Sequence, residues 1–328
     1  MKKVLIITGP GGDAQGWGNL EVTEELCHSL NSAGKSAEIV YVDKKEELLK
    51  AIEKKSYDII WSALYHVSEK EDIVGMCVDD DSWVADIFDA KGLPYVGPDA
   101  ETMKRLIRKD QSHRVMYSRG VTVPYFYVVE KGGELPEVKY PAFVKPSCES
   151  RSVGISDDSV VNTKAELKER VNYVLYTLEQ PALIEEYLPG PEYTVLMLAN
   201  GKSQELLPGL ITIDASYYKK YPILRSDLRG GLVKIKKPES RIDEANDLAR
   251  QAVAALNCLD HVRVDMRVGA DGRLKVIEVN GIPGLKPAKS WSPQIYNLYH
   301  ASGKGPMEDY RALVHRIVDS ALERYGLN

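Results

Sequence analysis

The sequence predicts an α/β protein whose first hundred residues form a mostly parallel sheet. Two observations carry this. Short apolar runs at 4–8, 37–42 and 59–64 alternate with segments of helical spacing at 20–33 and 46–55. Turn residues separate them, with Gly9-Pro-Gly-Gly12, Gly34 after the first helix, and Gly97-Pro98 closing a fourth short run at 93–96. The length of 328 residues suits two or three domains.

The elements follow in order. Leu20, Leu26 and Leu30 give the first helix its apolar positions. The segment 46–55 is a charged surface helix, and Asp81 and Ser82 are placed to cap another over 83–90. A basic helix is expected over 102–119. A strand at 140–145 leads into the polar loop 146–154. Thr163 and Glu166 read as a capping box before a helix from 164 to about 178. Strands at 182–187 and 193–198 flank Pro189-Gly190-Pro191. A Tyr- and Lys-rich stretch at 217–221, a helix at 241–256, a hairpin at 263–280 and a helix at 307–325 complete the chain.

Composition excludes several functions. With 43 Lys+Arg against 48 Asp+Glu the net charge is -5, so the chain has no general electrostatic attraction to nucleic acid. Apolar runs such as 4–7 and 194–199 fall far short of the roughly 20 residues that span a membrane. Residues 1–7 are too short for a signal-peptide core. Cys27, Cys77, Cys148 and Cys258 are scattered, without the spacing of a disulfide framework or a zinc site. A reduced, cytoplasmic protein is expected.

The hairpin carries the strongest chemical signal. Asp271-Gly272 is a two-residue turn signature. Counting outward from a pair between Ala270 and Arg273 sets Asp265 opposite Glu278 and Arg263 opposite Asn280, all on one face. Facing carboxylates about 5 Å apart repel. A hard divalent cation such as Mg2+ relieves that repulsion and also takes substrate phosphates. The competing reading is a solvated hairpin face with incidental charges.

Other clusters are weaker alone. Lys145 ends an apolar strand before the small polar loop 147–154, whose backbone N–H groups suit an anion. Lys109 lies in a basic helical run. Glu185 and Glu186 close a strand and Glu192 follows the Pro-Gly-Pro turn, where backbone can pair with an adenine and a carboxylate with ribose. Surface lysines and an ordinary linker are the bland readings. A P-loop is excluded, because Ser29 stands where its first glycine belongs before Gly34-Lys35-Ser36. A dinucleotide fingerprint at Gly9, Gly11 and Ala14 with Asp43 has its acid too far along. It remains as a rival, a nicotinamide-dependent oxidoreductase, beside a pure binding module.

Together these motifs resemble the ATP-grasp ligases, and most closely the D-alanine–D-alanine ligase family. The resemblance covers nearly the whole chain. It rests on Val144-Lys-Pro-Ser147 with Ser152-Val-Gly154, Ile184-Glu-Glu-Tyr-Leu188 with Gly190-Pro-Glu192-Tyr-Thr-Val195, Arg263-Val-Asp265, and Glu278-Val-Asn280 before Pro283-Gly284.

The resemblance implies an α+β ATP-grasp fold of three domains: 1–98, an N-terminal α/β domain; 99–187, a central ATP-grasp domain; and 188–328, a C-terminal ATP-grasp and metal-binding domain. It implies ATP bound by Lys109, Lys145, Ser152, Glu185, Glu186, Leu188 and Glu192. Two Mg2+ ions, or Mn2+ in their place, would sit on Asp265, Glu278 and Asn280. Arg263, Lys220 and Tyr221 would be catalytic, the last two on a mobile loop. Glu21, Arg151, Gly284, Lys289 and Ser290 would meet substrate. A homodimer is implied, with small-molecule carboxylate and amine substrates and no nucleic-acid or membrane partner. ATP would phosphorylate a carboxylate, and an amine would displace the phosphate to give an amide.

Two departures bear on substrate. The family has Glu-Gly-Ser-Ser-Val-Gly in the phosphate loop, and Arg151 replaces one of these serines. Its hydroxyl-rich stretch after Pro283-Gly284 is here Leu285-Lys-Pro-Ala-Lys-Ser290. The expected product is therefore an amide other than D-alanyl-D-alanine, with true D-alanine–D-alanine ligation as the alternative.

Overall fold

A computed structural model describes residues 1–54, 56–67, 73–77, 82–228 and 232–327. The N-terminal elements are β1 (Lys3–Thr8), α1 (Gly12–Gln15), α2 (Leu20–Ser32), β2 (Ser36–Tyr41), α3 (Lys45–Glu53), β3 (Ile59–Ser62) and α4 (Val84–Ala90). Then come α5 (Ala100–Ile107), α6 (Lys109–Ser118), β4 (Phe126–Val129), β5 (Ala142–Pro146), β6 (Val160–Val161), α7 (Lys164–Asn172) and β7 (Ala182–Glu186). The remainder is β8 (Glu192–Leu198), β9 (Glu205–Thr212), β10 (Lys234–Lys236), α8 (Ile242–Ala255), β11 (His261–Val268), β12 (Leu274–Asn280), α9 (Trp291–His300) and α10 (Pro306–Arg324).

Three sheets result. The first is parallel, in the order β2-β1-β3. β1 is apolar throughout because both faces are covered. Val4 and Ile6 join the core under α2 and α10, while Leu5 and Ile7 join that under α3 and α4. The second sheet, β4-β7-β5-β6, is antiparallel and packs on α7. The third, β10-β9-β8-β11-β12, is antiparallel with α5, α6 and α8 on one face and α9 and α10 on the other.

Several elements differ from expectation. The helix expected over 102–119 is two, broken at Arg108, whose backbone is extended (φ -108°, ψ 101°). The break lets Lys109 N donate to the Ser147 carbonyl at 3.0 Å, docking α6 against the polar loop. The run 93–96 is not a strand, since it makes one parallel bridge, Tyr95 to Ile60. Thr163 does cap α7, but Glu166 reaches the Asn162 N–H rather than that of Thr163. Asp81 and Lys55 lie outside the described residues. β4, β6, β9, β10, α1 and α9 were not anticipated. β9 contains Pro208-Gly209, a pair that ordinarily argues against a strand interior. Pro208 still fits opposite Val195 in the sheet, and its carbonyl accepts from the Tyr299 hydroxyl at 2.7 Å.

Candidate active site

The hairpin of β11 and β12 pairs Arg263 with Asn280 and Asp265 with Glu278, as the count predicted. The route to that register differs. Gly269 N donates to the Arg273 carbonyl, so the turn holds three residues, with Gly272 left-handed at φ +77°. Ala270 therefore does not pair with Arg273. Met266 faces Val276, one step out, and a bulge at Ile277 restores the register. The two departures cancel. The bulged Ile277 carbonyl accepts from Lys145 Nζ at 3.4 Å.

Asp265 is 4% exposed and heavily bonded. Its oxygens accept from Thr194 Oγ1 (2.7 Å), Arg263 Nε (2.9 Å), Arg263 Nη2 (2.7 Å) and Asn280 Nδ2 (3.0 Å). The Arg263 guanidinium lies 4.7 Å from the Trp291 ring centre. Burial opposes its charge, but Asp265 holds its pKa above the ordinary value. Glu278 pairs with Lys109 Nζ at 3.0 Å. Burial pushes the Glu278 carboxyl up, and Lys109, Lys145 and Arg263 together hold it below the usual range.

Glu185 is also buried. Lys145 Nζ lies 2.8 Å from one oxygen and His113 Nε2 2.8 Å from the other. Desolvation works against this carboxylate, yet the two partners bring its pKa down to about 2. Glu186 accepts from Lys275 Nζ at 2.6 Å and from Tyr125 N at 3.0 Å. Glu192 lies 3.8 Å from Arg267 Nη1.

The structure brings Lys109, Lys145, Ser152, Glu185, Glu186, Leu188 and Glu192 to one cleft between the second and third sheets. Asp265 and Glu278 line its inner end. A second, larger cavity of about 750 Å³ opens beyond them toward the N-terminal sheet. Arg151, Arg263, Asn280, Gly284, Lys289 and Ser290 line it. A Cβ at Gly284 would stand 2.8 Å from Ser290 Oγ, so a larger residue there would displace that hydroxyl. Lys109, Glu278 and Trp291 face both spaces.

Three expected residues are elsewhere. Glu21 is exposed in the first turn of α2 and does not line the cavity, because Asn19 caps that helix and Val22 is the residue turned inward. Lys220 and Tyr221 line neither space. The Tyr221 hydroxyl accepts from Asn162 Nδ2 at 3.0 Å, its ring meets Tyr187 edge-on, and Lys220 Nζ sits over that ring. Ile223 and Leu224, further along the same loop, reach the cleft instead.

Sequence reasoning missed His113, Thr194, Arg267 and Trp291. Signals existed for two of them. His113 is one helical turn beyond Lys109, and Arg267 continues the alternation of Arg263 and Asp265.

Among the described residues no three His, Cys, Asp or Glu side chains form a metal cluster. The set Asp265, Glu278 and Asn280 offers only oxygen donors to a cation, which fits a hard divalent ion once Arg263 and Lys109 are displaced. All four cysteines are free, and no described helix is long and apolar enough to cross a membrane. The oxidoreductase reading finds no support. The glycine loop after β1 forms the four-residue α1 and breaks again before α2, rather than opening a long helix.

Comparison with known proteins agrees with this geometry. The family model described as the D-ala D-ala ligase C-terminus matches residues 128–319. The D-alanine–D-alanine ligase of Moorella thermoacetica is 26% identical over 98% of this chain and 100% of its own length. D-alanine–D-alanine ligase A of Salmonella typhimurium is 26% identical over 78% of this chain and 70% of its own. In fold, the crystal structure of the Bacillus anthracis D-alanine–D-alanine ligase matches with a TM-score of 0.76 at 22% identity, covering 99% of each chain. The same enzyme complexed with ATP gives 0.73 at 20% identity, again over 99% of each. The match over more than half the chain places it in the D-alanine–D-alanine ligase family, whose members are ATP-dependent carboxylate–amine ligases.

Proposed function

We propose that the cleft between the second and third sheets binds ATP and that the adjoining cavity binds a carboxylate and an amine, which the chain joins as an amide. The convergence of seven motif residues on one cleft, with Asp265 in it and Glu278 lining both it and the cavity, carries this reading. Lys109 and Lys145 hold phosphates, Glu185 and the backbone at Glu186 and Leu188 read adenine, and Glu192 takes ribose hydroxyls. Asp265, Glu278 and Asn280 hold Mg2+, which supplies charge neutralisation to the phosphates. Arg263 neutralises the reacting carboxylate. The γ-phosphoryl passes to a carboxylate oxygen and ADP leaves. The amine nitrogen then attacks the acyl carbon and phosphate departs with the C–O bond electrons. The protein's part is positioning, charge stabilisation and exclusion of water.

Nucleotide choice tests the cleft. The amino group of adenine donates where guanine carries a carbonyl. ATP is expected to exceed GTP in kcat/KM by at least about tenfold, or about 1.4 kcal/mol, from one mismatched buried contact. ADP or GDP release measures it, and equal use of both nucleotides would remove the adenine assignment.

Arg151, Lys286 and Lys289 line the cavity with cations. The hydroxyl of Ser290 already accepts from the Lys286 backbone N–H at 2.9 Å. Guanidinium pairs well with carboxylate. At least one substrate is therefore larger or more acidic than D-alanine. The names of the relatives favour the alternative, ligation of two D-alanines. An ADP-release screen over pairs of amino acids and small acids, with products weighed by mass spectrometry, separates the two. Fastest turnover with D-alanine alone, yielding its dipeptide, would overturn the acidic-substrate reading.

A further inference from the structure

The one face of β11 that carries Arg263 and Asp265 also carries Arg267, two residues further along. Its side chain is 11% exposed and lines the cleft. The guanidinium contacts two separate pieces of chain, the stretch from Gly190 to Glu192 and the loop at Pro222. Nε donates to the Gly190 carbonyl at 2.9 Å, within the Pro-Gly-Pro turn between the second and third sheets. Nη2 donates to the Pro222 carbonyl, in the long loop between β9 and β10. Nη1 lies 3.8 Å from Glu192 Oε2.

These contacts differ in kind. The two carbonyl contacts are hydrogen bonds to backbone. The third is too long for one and acts on Glu192 through charge. The loop also crosses to the second sheet's side of the cleft, where Tyr221 N donates to Asp157 Oδ1 at 3.3 Å and the Tyr221 hydroxyl accepts from Asn162. Ile223, 2% exposed, is the loop's buried anchor in the cleft.

We propose that Arg267 is a positioning residue that couples this loop to the ribose carboxylate. It orients Glu192 toward the sugar hydroxyls and holds Pro222, so that nucleotide in the cleft and loop over the cleft stabilise each other. The proposal rests on the cleft being the ATP site. A planar guanidinium places two donors on the two carbonyls at fixed angles while its charge stays beside Glu192; an ammonium is a point charge without that fork.

The test uses Arg267→Met and Arg267→Lys in the full chain, with thermal melting to confirm folding. Two readouts go beyond stability. The first is the kcat/KM ratio of ATP to its analogues lacking the 2′ or 3′ hydroxyl. The second is tryptic cleavage at Lys219 and Lys220, both exposed, with and without a non-hydrolysable ATP analogue. Wild type is expected to prefer ATP and to be protected by the analogue. Arg267→Met should lower that preference about tenfold and abolish protection, and Arg267→Lys should restore part of each. Glu192→Gln should add no further loss of preference to Arg267→Met. An unchanged preference in Arg267→Met, while wild type binds the analogue, would overturn the proposal alone. Failure of wild type to bind the analogue would overturn the nucleotide assignment with it. If Arg267→Met does not fold, wild-type preference and protection in Arg267→Lys would equally overturn the proposal.

Discussion

Glu278→Gln is expected to abolish ligation and also to lower stability. The activity loss follows from its place. Glu278 faces Asp265 across the hairpin, lines both the cleft and the cavity, and supplies one of the two carboxylates proposed for Mg2+. Losing that charge should cost at least about a hundredfold in kcat, comparable to removing one electrostatic stabiliser of a transition state. The stability effect has the opposite sign to the one that two facing carboxylates suggest from the sequence. Repulsion between Asp265 and Glu278 alone would make the amide a relief. In the fold Asp265 is occupied by Arg263, and Glu278 by Lys109, whose side chain is 10% exposed. The carboxyl is held below its usual range, so the folded state favours its ionised form. Replacing it leaves a largely buried ammonium short of its counter-ion, at about 1–3 kcal/mol. Urea unfolding of the metal-free protein, with ADP release on the same preparation, measures both. A variant as active as wild type would refute the metal assignment, and a more stable one would refute the pairing.

Lys145→Met should raise the KM for ATP and remove the part of the acid sensitivity that Glu185 contributes. Glu185 titrates at about 2 instead of an ordinary 4.5. A lowered carboxyl pKa adds stability that is present above the ordinary value and is lost as pH falls toward the folded one. Here the window runs from about pH 5 down to 2, and the contribution at neutral pH is about 3 kcal/mol. Burial alone would push Glu185 the other way, so the lowering depends on Lys145 first and His113 second. Without Lys145 the buried carboxylate keeps only the imidazole beside it. Stability at pH 7 should drop by about 3 kcal/mol, as when one partner of a buried pair is removed. Between pH 5 and 3 the variant should then change little, or gain. Denaturant unfolding at pH 7, 5 and 3 gives the comparison. A variant with the wild-type pH slope would show that Lys145 does not set the Glu185 charge.

Much of this molecule is legible in its sequence because the relevant signals are local. The apolar run of β1 and the alternation around it set the parallel sheet. Thr163 is four positions or fewer from the groups it caps. The order of Lys145, Glu185, Glu192, Arg263, Asp265, Glu278 and Asn280 along the chain carries the resemblance to the family, and these residues line the cleft or the cavity that adjoins it. The hairpin register at Arg263–Asn280 and Asp265–Glu278 agrees with a count from a two-residue turn, because the longer turn and the bulge offset one another.

Only the tertiary structure decided the partners. That Lys109 meets Glu278, that His113 and Lys145 divide Glu185, and that Arg267 reaches both Glu192 and Pro222 depend on residues brought together from distant parts of the chain. So does the absence of Glu21, Lys220 and Tyr221 from the two spaces. Periodicity fixes which face of its own element a side chain takes, but each face is satisfied by whichever element packs against it. The sign of the stability change at Glu278 turns on that difference: the sequence places two like charges opposite each other, and the packed structure delivers a cation to each.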